Sequence, residues 1–151
     1  MKGEYLQADA KLDPKGRLVL PARLRRKLEA EGIRTLVFMV HPVLKSIFAF
    51  TPEDWKHKVE DRLDAAFIFD AQSLILAHAL MGGAQTVDVD KQGRILVPPK
   101  MRDEAGLDRE LVLQTLQGRL EIWSADAWQA RKAEVAAALQ NIDVSAFLRG
   151  V

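Results

Sequence analysis

The chain has 151 residues, an apolar fraction of 48%, no cysteine and a formal net charge of +1. The length suits one domain, the apolar fraction is ample for a packed interior, and the missing cysteines exclude disulfides and thiolate chemistry. The N-terminal segment has no apolar run of signal-peptide length, and the longest apolar stretch, SLILAHALM, is too short to span a bilayer. The sequence therefore predicts a soluble, cytoplasmic protein with no membrane partner.

One phrase occurs twice, as DPKGRLVLP at residues 13–21 and as DKQGRILVP at residues 90–98. The match continues to Arg25 in the first copy and to Arg102 in the second, and the apolar positions agree throughout. A repeated phrase indicates one structural unit that is used twice. We therefore predict a single domain over 1–151, made of a first repeat over 5–69, a second repeat over 84–140 and a tail over 141–151.

Each repeat begins with an extended run, YLQADAKL or AQTVDVD, that leads to an Asp-x-x-Gly turn. Asp at the first turn position and Gly at the fourth suit a type I turn. A short strand follows, RLVL in the first copy and RILV in the second. Pro21 and Pro98 then end the strand and begin a short helix, for which Gly32 and Gly106 are the expected stops.

The second half of each repeat reads as a hairpin followed by a capped helix. The predicted hairpin strands are TLVFMV and SIFAF in the first copy, and ELVLQTL and RLEIW in the second. The matched segments that end at Trp55 and Trp128 are 73 residues apart, whereas the opening phrases are 77 apart. The first copy therefore has four extra residues, which we place in the HPVLK loop of its hairpin.

Apolar side chains recur at helical spacing in these capped helices, which predicts a core or a subunit interface. A further helix is predicted in the linker over 67–83, where Gly82 and Gly83 end it. The two apolar stripes consist of Trp55, Val59 and Leu63 in the first copy and of Trp128, Val135 and Leu139 in the second.

No group of residues in the sequence indicates catalysis. The histidines His41, His57 and His78 are scattered, without the i, i+4 spacing or the nearby cysteines of a metal site. The serines lack the context of a nucleophile elbow, and MGGAQT has neither the spacing nor the lysine of a phosphate-binding loop. We therefore expect no enzyme, no metal, no cofactor and no small-molecule substrate.

Two residues of each repeated turn have a structural explanation, because Asp and Gly close such a turn. These motif-supporting residues are Asp13 and Gly16 in the first copy, and Asp90 and Gly93 in the second.

An arginine at the exit of each turn is not required by turn chemistry. Arg17 and Arg94 would be exposed at hairpin tips, where a planar guanidinium can grip phosphate or the O6 and N7 atoms of guanine. The preceding Asp could orient this fork, and Lys11 and Lys15 would add contacts to the phosphate backbone. These residues are therefore candidates for nucleic-acid binding.

The two copies differ in their charge. From Lys11 to Lys27 the chain has seven cations and one anion, so the net charge is 7 − 1 = +6. From Asp88 to Arg109 it has five cations and five anions, so the net charge is 5 − 5 = 0. A local basic field is typical of a nucleic-acid binder, and we expect the first copy to dominate the electrostatics.

Each Asp-x-x-x-Arg motif, DPKGR or DKQGR, is followed by an apolar segment that ends in Pro and later by a Trp-bearing capped helix. Duplicated at this spacing, the pattern resembles the MraZ family of bacterial transcriptional regulators, which is related to the AbrB-type DNA-binding proteins. The resemblance extends from about Tyr5 to Leu139.

The resemblance implies an α+β, β-rich fold, a swapped-hairpin β-barrel in which two repeats interleave about a pseudo-two-fold axis with helices outside. It also implies nucleoid-associated homo-oligomeric rings that bind short tandem boxes of double-stranded DNA upstream of their own operon, usually as repressors of the division and cell-wall gene cluster. The motif residues carried over to this sequence are Asp13 with Arg17 and Asp90 with Arg94, followed by Lys15 and Lys91 beside the same turns.

Two other classes of function stay open from the residues alone. The first is an antitoxin-like protein-interaction module that binds DNA only secondarily, with the stripes of Trp55 and Trp128 serving a partner. The second is an enzyme on a related barrel, which would need a substrate-sized pocket lined by ionisable groups.

Overall fold

The computed structural model describes residues 1–65 and 70–151, so residues 67–69 of the predicted linker helix lie outside the described residues. Eight strands, seven α-helices and one π-helical turn form within these ranges. In chain order they are β1 Gln7–Lys11, β2 Arg17–Val19, α1 Ala22–Ala30, β3 Thr35–Val40, β4 Ile47–Phe50, α2 Pro52–Trp55, the π-helical turn Lys56–Glu60, α3 Asp61–Asp64, α4 Ala71–Met81, β5 Gln85–Asp88, β6 Arg94–Leu96, α5 Pro99–Glu104, β7 Glu110–Leu116, β8 Arg119–Ser124, α6 Ala125–Leu139 and α7 Val144–Leu148.

The strands form a six-stranded sheet in the order β1-β7-β8-β4-β3-β5 and a two-stranded ribbon, β2-β6. All pairings are antiparallel, and most of them join the two repeats. Strand β1 of the first repeat pairs with β7 of the second, and β5 of the second repeat pairs with β3 of the first. The hairpins β1–β2 and β5–β6 are therefore exchanged between the repeats, which confirms the predicted swapped-hairpin fold.

The pairing pattern has an internal symmetry that follows from the repeated sequence. If β1, β2, β3 and β4 are replaced by β5, β6, β7 and β8, and the reverse, the order of the sheet and of the ribbon is unchanged. The loop over 41–46 joins β3 to β4, whereas only 117–118 join β7 to β8. This difference is the four extra residues that the sequence places in the first hairpin.

A single apolar cluster underlies the ribbon and both turns. Leu18 of β2 and Ile95 of β6 are fully buried in it, and each burial contributes about 1.5–3 kcal/mol to folding. The cluster draws on both repeats, including Leu24 of α1 and Met101 of α5. One face of the ribbon is thus packed on the core, while its other face points outward.

The Trp-bearing helices differ in how far they are buried. Trp55 is buried in a second apolar cluster with Phe50, and its indole N–H donates to Glu60 across the π-helical turn at 2.9 Å. The first apolar stripe therefore belongs to the core at this end. In α6, Val135 and Leu139 are 42% and 48% exposed, so the second apolar stripe is not buried in the core and faces solvent in the isolated chain.

Helix α4 lies largely outside the core. The apolar sequence of this helix favours His78 as a packing residue, but His78 and most of its neighbours are exposed. Ile75 is 65% exposed, although a helix that is apolar on all sides is normally covered. In the described ranges, no helix combines the length and apolar character needed to cross a membrane.

Candidate nucleic-acid interface

The first turn is organised by the carboxylate of Asp13. One carboxylate oxygen, Oδ1, accepts hydrogen bonds from the backbone N–H of Lys15 at 2.9 Å and of Arg17 at 2.8 Å. The other oxygen, Oδ2, accepts from Nε of Arg17 at 3.0 Å. Gly16 closes the turn by donating its N–H to the Asp13 carbonyl, and its φ of +85° explains why glycine stands there.

The second turn repeats this arrangement almost atom for atom. Oδ1 of Asp90 accepts from the backbone N–H of Gln92 and of Arg94, at 2.9 and 2.8 Å, and Oδ2 accepts from Nε of Arg94 at 2.8 Å. Gly93 has a φ of +77°. The repeated sequence therefore produces the same geometry at both tips, independently of the difference in their surroundings.

These hydrogen bonds stabilise the ionised form of both aspartates. The backbone N–H of Arg17 is the main cause that lowers the pKa of Asp13 below its ordinary value of 3.8. Partial burial opposes this effect, and the Arg17 side chain and the Lys15 N–H add to it. Arg94 and Gln92 lower the pKa of Asp90 in the same way.

The contact to aspartate uses only one edge of each guanidinium. Because Nε of Arg17 is bonded to Asp13, the two terminal Nη groups remain for a ligand. The Arg17 and Arg94 side chains are 38% and 42% exposed, so both forks are accessible and held at one end, and Nη2 of Arg94 also donates to Oε1 of Gln92 at 3.5 Å. Such a fork matches two acceptors of a phosphate or of a guanine edge.

Both arginines lie on the same outer face of the ribbon. Arg17 pairs with Leu96, and Val19 pairs with Arg94, while Leu18 and Ile95 between them point into the core. Since side chains alternate along a strand, all four paired residues point outward together. The sequence places the arginines at two separate tips, and the cross-repeat pairing brings the tips onto one surface.

Two further arginines, not recognised in the sequence as site residues, cover the turns from the opposite repeat. A Cβ atom added to Gly16 would lie 2.5 Å from Nη1 of Arg102, and one added to Gly93 would lie 2.5 Å from Cδ of Arg25. Arg25 also donates to the Gln92 carbonyl at 3.3 Å. Arg25 and Arg102 are the identical arginines that end the two matched segments of the repeat. This identity is the sequence signal that could have marked them as site residues.

The contact between the repeats is strengthened by backbone hydrogen bonds to the same glycines. Gly16 accepts from the N–H of Val97 at 2.9 Å, and Gly93 accepts from the N–H of Leu20 at 2.8 Å. Each tip is therefore held by its own aspartate and by the opposite repeat.

The candidate lysines occupy three different positions. Lys15 is exposed at the third position of the first turn, and Lys91 is exposed at the second position of the second turn, so the two are not equivalents. Lys11 ends β1 and lines an open groove with Arg102 and Arg109 beside the first tip. Lys15 and Lys91 therefore lie on the turns themselves, and Lys11 lies beside the first turn.

The basic field of the first copy is partly neutralised by residues outside the counted segment. Glu4 lies 2.8 Å from Nε of Arg23 and 3.8 Å from Nζ of Lys27. Over 1–65 and 70–151, Lys11 and Lys15 form no ion pair within 4.0 Å. Arg26 of α1 also has no ion pair within these ranges, so two of the three uncompensated cations of the segment lie near the first tip. Among the described residues, no cluster of His, Cys, Asp or Glu is arranged to hold a metal ion.

Comparison with known proteins identifies the family. A family model described as "MraZ protein, putative antitoxin-like" matches residues 80–150. The chain is 34% identical over 140 residues to "Transcriptional regulator MraZ" of Heliobacterium modesticaldum, covering 93% of this chain and 92% of that protein. The chain belongs to the MraZ family. Similar MraZ proteins include those of Marinomonas sp., 35% identical over 82% of this chain and 81% of its own length, and of Methylobacillus flagellatus, 32% identical over 92% of both chains.

Membership in the MraZ family confirms the resemblance drawn from the two Asp-x-x-x-Arg motifs. The relatives with which this chain is compared are named as transcriptional regulators.

Proposed function

We propose that this MraZ-family protein is a sequence-specific, DNA-binding transcriptional regulator that reads double-stranded DNA with the outer face of its two-stranded ribbon. The observation that carries this proposal is the pair of pre-oriented forks, Arg17 and Arg94, on one surface. A two-stranded β-ribbon fits the major groove of B-DNA, where base edges are distinguishable.

Each residue of the interface has a distinct role in this proposal. Arg17 and Arg94 bind guanine edges or phosphates with their terminal Nη groups, and Asp13 and Asp90 hold the forks without approaching the DNA. The ammonium groups of Lys11, Lys15 and Lys91 neutralise phosphates, so they position the protein without specifying sequence. The first tip contributes more of the electrostatic attraction, since its surroundings have the greater cationic excess.

We further propose that the protein acts as a homo-oligomeric ring on tandem boxes. Apolar side chains on α4, α6 and α7 support an assembly: Ile75, Leu139 and Phe147 are 65%, 48% and 82% exposed. Exposed apolar surface of this kind marks interaction sites. When neighbouring subunits bind neighbouring boxes, the second contact is intramolecular, and avidity can rise roughly 10²–10⁴-fold.

The proposed biological role is repression of the division and cell-wall gene cluster that includes the protein's own gene, from a nucleoid-associated position in the cytoplasm. The proposed repeats, 5–69 and 84–140, form one domain, and the tail over 141–151 contributes to assembly rather than to DNA contact. The name of the MraZ relatives, "Transcriptional regulator", supports the regulatory part of this role.

The proposal is tested by comparing two duplexes of equal length and composition. One is the DNA immediately upstream of the protein's own gene, and the other is a shuffled version of it. We expect tight binding to the upstream duplex only, with an affinity that falls steeply as salt rises, because counterions are released from contacted phosphates. Equal binding to both duplexes would exclude sequence specificity, and a flat salt response would exclude a phosphate-gripping surface.

The alternative is an antitoxin-like protein-interaction module, which the description of the matching family model favours. In that case the exposed faces of α4 and α7 bind a different protein. Size-exclusion chromatography of the pure protein separates the two possibilities. A closed homo-oligomer buries these faces against its own copies, whereas a monomer keeps them for another partner.

A further inference from the structure

Two large apolar side chains are exposed on the outward face of the ribbon. Val19 in β2 is 56% exposed and Leu96 in β6 is 53% exposed, although their neighbours Leu18 and Ile95 are fully buried. Each of them follows the turn arginine by two residues in its own repeat. Single exposed apolar residues are common on protein surfaces, but here both repeats carry one at the same position.

The register of the ribbon places these side chains among the arginines. Val19 is opposite Arg94 and Leu96 is opposite Arg17, all on the outward face. Each end of the outer face therefore carries one arginine opposite one apolar residue, with the two arginines on one diagonal and Val19 and Leu96 on the other. Lys15 and Lys91 are exposed on the two turns.

The surrounding charge decides which partner Val19 and Leu96 fit. The same face of a second copy would bring further arginines and lysines against these cations, and like charges disfavour such a contact. A polyanion with an apolar group at the bottom of its groove satisfies both features. In the major groove of B-DNA, the only such group is the 5-methyl group of thymine.

We propose that Val19 and Leu96 contact thymine methyl groups and thereby select thymine at positions next to those gripped by Arg17 and Arg94. This inference rests on the proposed function, and it adds specificity residues that lie outside the Asp-x-x-x-Arg motif. The arginines hold acceptors on guanine or phosphate, while the apolar pair distinguishes thymine from cytosine and from uracil.

Replacing thymine by deoxyuridine tests this contact, because it removes the methyl group and leaves every hydrogen-bonding atom unchanged. The probes are the duplex from upstream of the protein's own gene and the same duplex with deoxyuridine at each thymine. The proteins are the wild type, the double variant Val19→Ala/Leu96→Ala, and Val43→Ala as a matched control. Val43 is 79% exposed in the loop over 41–46, away from the ribbon.

We expect the wild type and Val43→Ala to bind the deoxyuridine duplex about fourfold more weakly for each contacted methyl group. We expect the double variant to bind the thymine duplex more weakly than the wild type and to show no further loss with deoxyuridine. Thermal melts check that all variants are folded, as exposed positions should allow.

Two results would overturn the inference. One is equal affinity of the wild type for both duplexes, and the other is an unchanged thymine-to-uracil ratio in the double variant. If the wild type binds neither duplex, the proposed function itself fails and this inference fails with it. If the wild type binds both duplexes equally and specifically, only this inference fails.

Discussion

At the residue scale, the turn glycines meet two separate requirements. Gly16 has a φ of +85°, and its missing Cβ leaves room for the guanidinium of Arg102. Side chains at positive φ are strained by about 1–3 kcal/mol, and an added Cβ would displace the end of the flexible Arg102 side chain, so its contact over the turn would also be lost. The second requirement comes from the opposite repeat and is invisible in the sequence around the turn.

We therefore predict that Gly16→Ala lowers the free energy of unfolding by more than Gly32→Ala does. Gly32 has a φ of +70° and open space around it, so it reports on backbone strain alone. Urea denaturation of both variants measures the difference. Equal losses would show that the contact with Arg102 does not contribute to the free energy of unfolding.

The aspartates give a prediction on pH. Their folded-state pKa values are below the ordinary 3.8, so their contribution to tip stability is complete above that value and is lost as the pH falls through the lower folded value. In an NMR titration, the chemical shifts of the Arg17 and Arg94 amide protons should change with an apparent pKa below 3.8. In Asp13→Asn the Arg17 inflection should vanish and the Arg94 inflection should remain. If the Arg17 amide still shows an inflection in that variant, a group other than Asp13 causes the change in its chemical shift.

At the element scale, the two hairpin tips depend on each other's repeats. Arg102 of α5 covers the first tip, and Arg25 of α1 covers the second. Both Nε atoms are buried without a hydrogen-bond partner among the described residues. An unpaired buried N–H group is unfavourable, and here it occurs at equivalent positions in both repeats. We infer that the role of these side chains is to pack on the turn glycine.

We predict that Arg102→Ala loosens the first tip and leaves the second unchanged. Hydrogen exchange at the amides of Gly16 and Arg17 should become faster, because the covering guanidinium is lost, while exchange at Gly93 stays as in the wild type. Lys100→Ala, at an exposed position of the same helix, is the control. Faster exchange at both tips would indicate general destabilisation instead.

Local chemistry made the turns and helix starts predictable from the sequence. Asp13 and Gly16 close the first turn, and Pro21 precedes α1, because these residue types restrict the backbone wherever they occur. The strand partners were not predictable by local chemistry, since β1 finds β7 at the other end of the chain. The resemblance to the MraZ family supplied the expectation of exchanged hairpins, and the covering role of Arg25 and the outward face of Val19 emerge only from the pairing.

At the scale of the whole molecule, the exposed apolar helices are the main unexplained surface of an isolated chain. A helix that is apolar on all sides is normally covered, but Ile75 of α4 is 65% exposed, and Phe147 of α7 is 82% exposed. In an assembly these side chains would be removed from water, at about 25 cal/mol for each Å² of apolar surface.

We predict that Ile75→Glu and Phe147→Glu reduce the mass of the assembly in solution, because a buried carboxylate without a partner is unfavourable at an interface. Light scattering after size exclusion measures the mass, and thermal melts check the fold. Val43→Glu, exposed on the loop over 41–46, should leave the mass unchanged. If neither helix variant changes the mass, these faces are not the subunit contacts.

The central claim is that the arginine forks of the ribbon bind DNA. Fluorescence anisotropy with the upstream duplex, using Arg17→Ala, Arg94→Ala and the exposed control Arg62→Ala, tests it most directly. A lost bidentate contact costs about 1–3 kcal/mol and recurs in every subunit. We therefore expect Arg17→Ala to lower the affinity by more than about tenfold, Arg94→Ala to lower it less, and Arg62→Ala to leave it unchanged, with melting temperature and assembly mass as in the wild type. Wild-type affinity in both Arg17→Ala and Arg94→Ala would contradict the account.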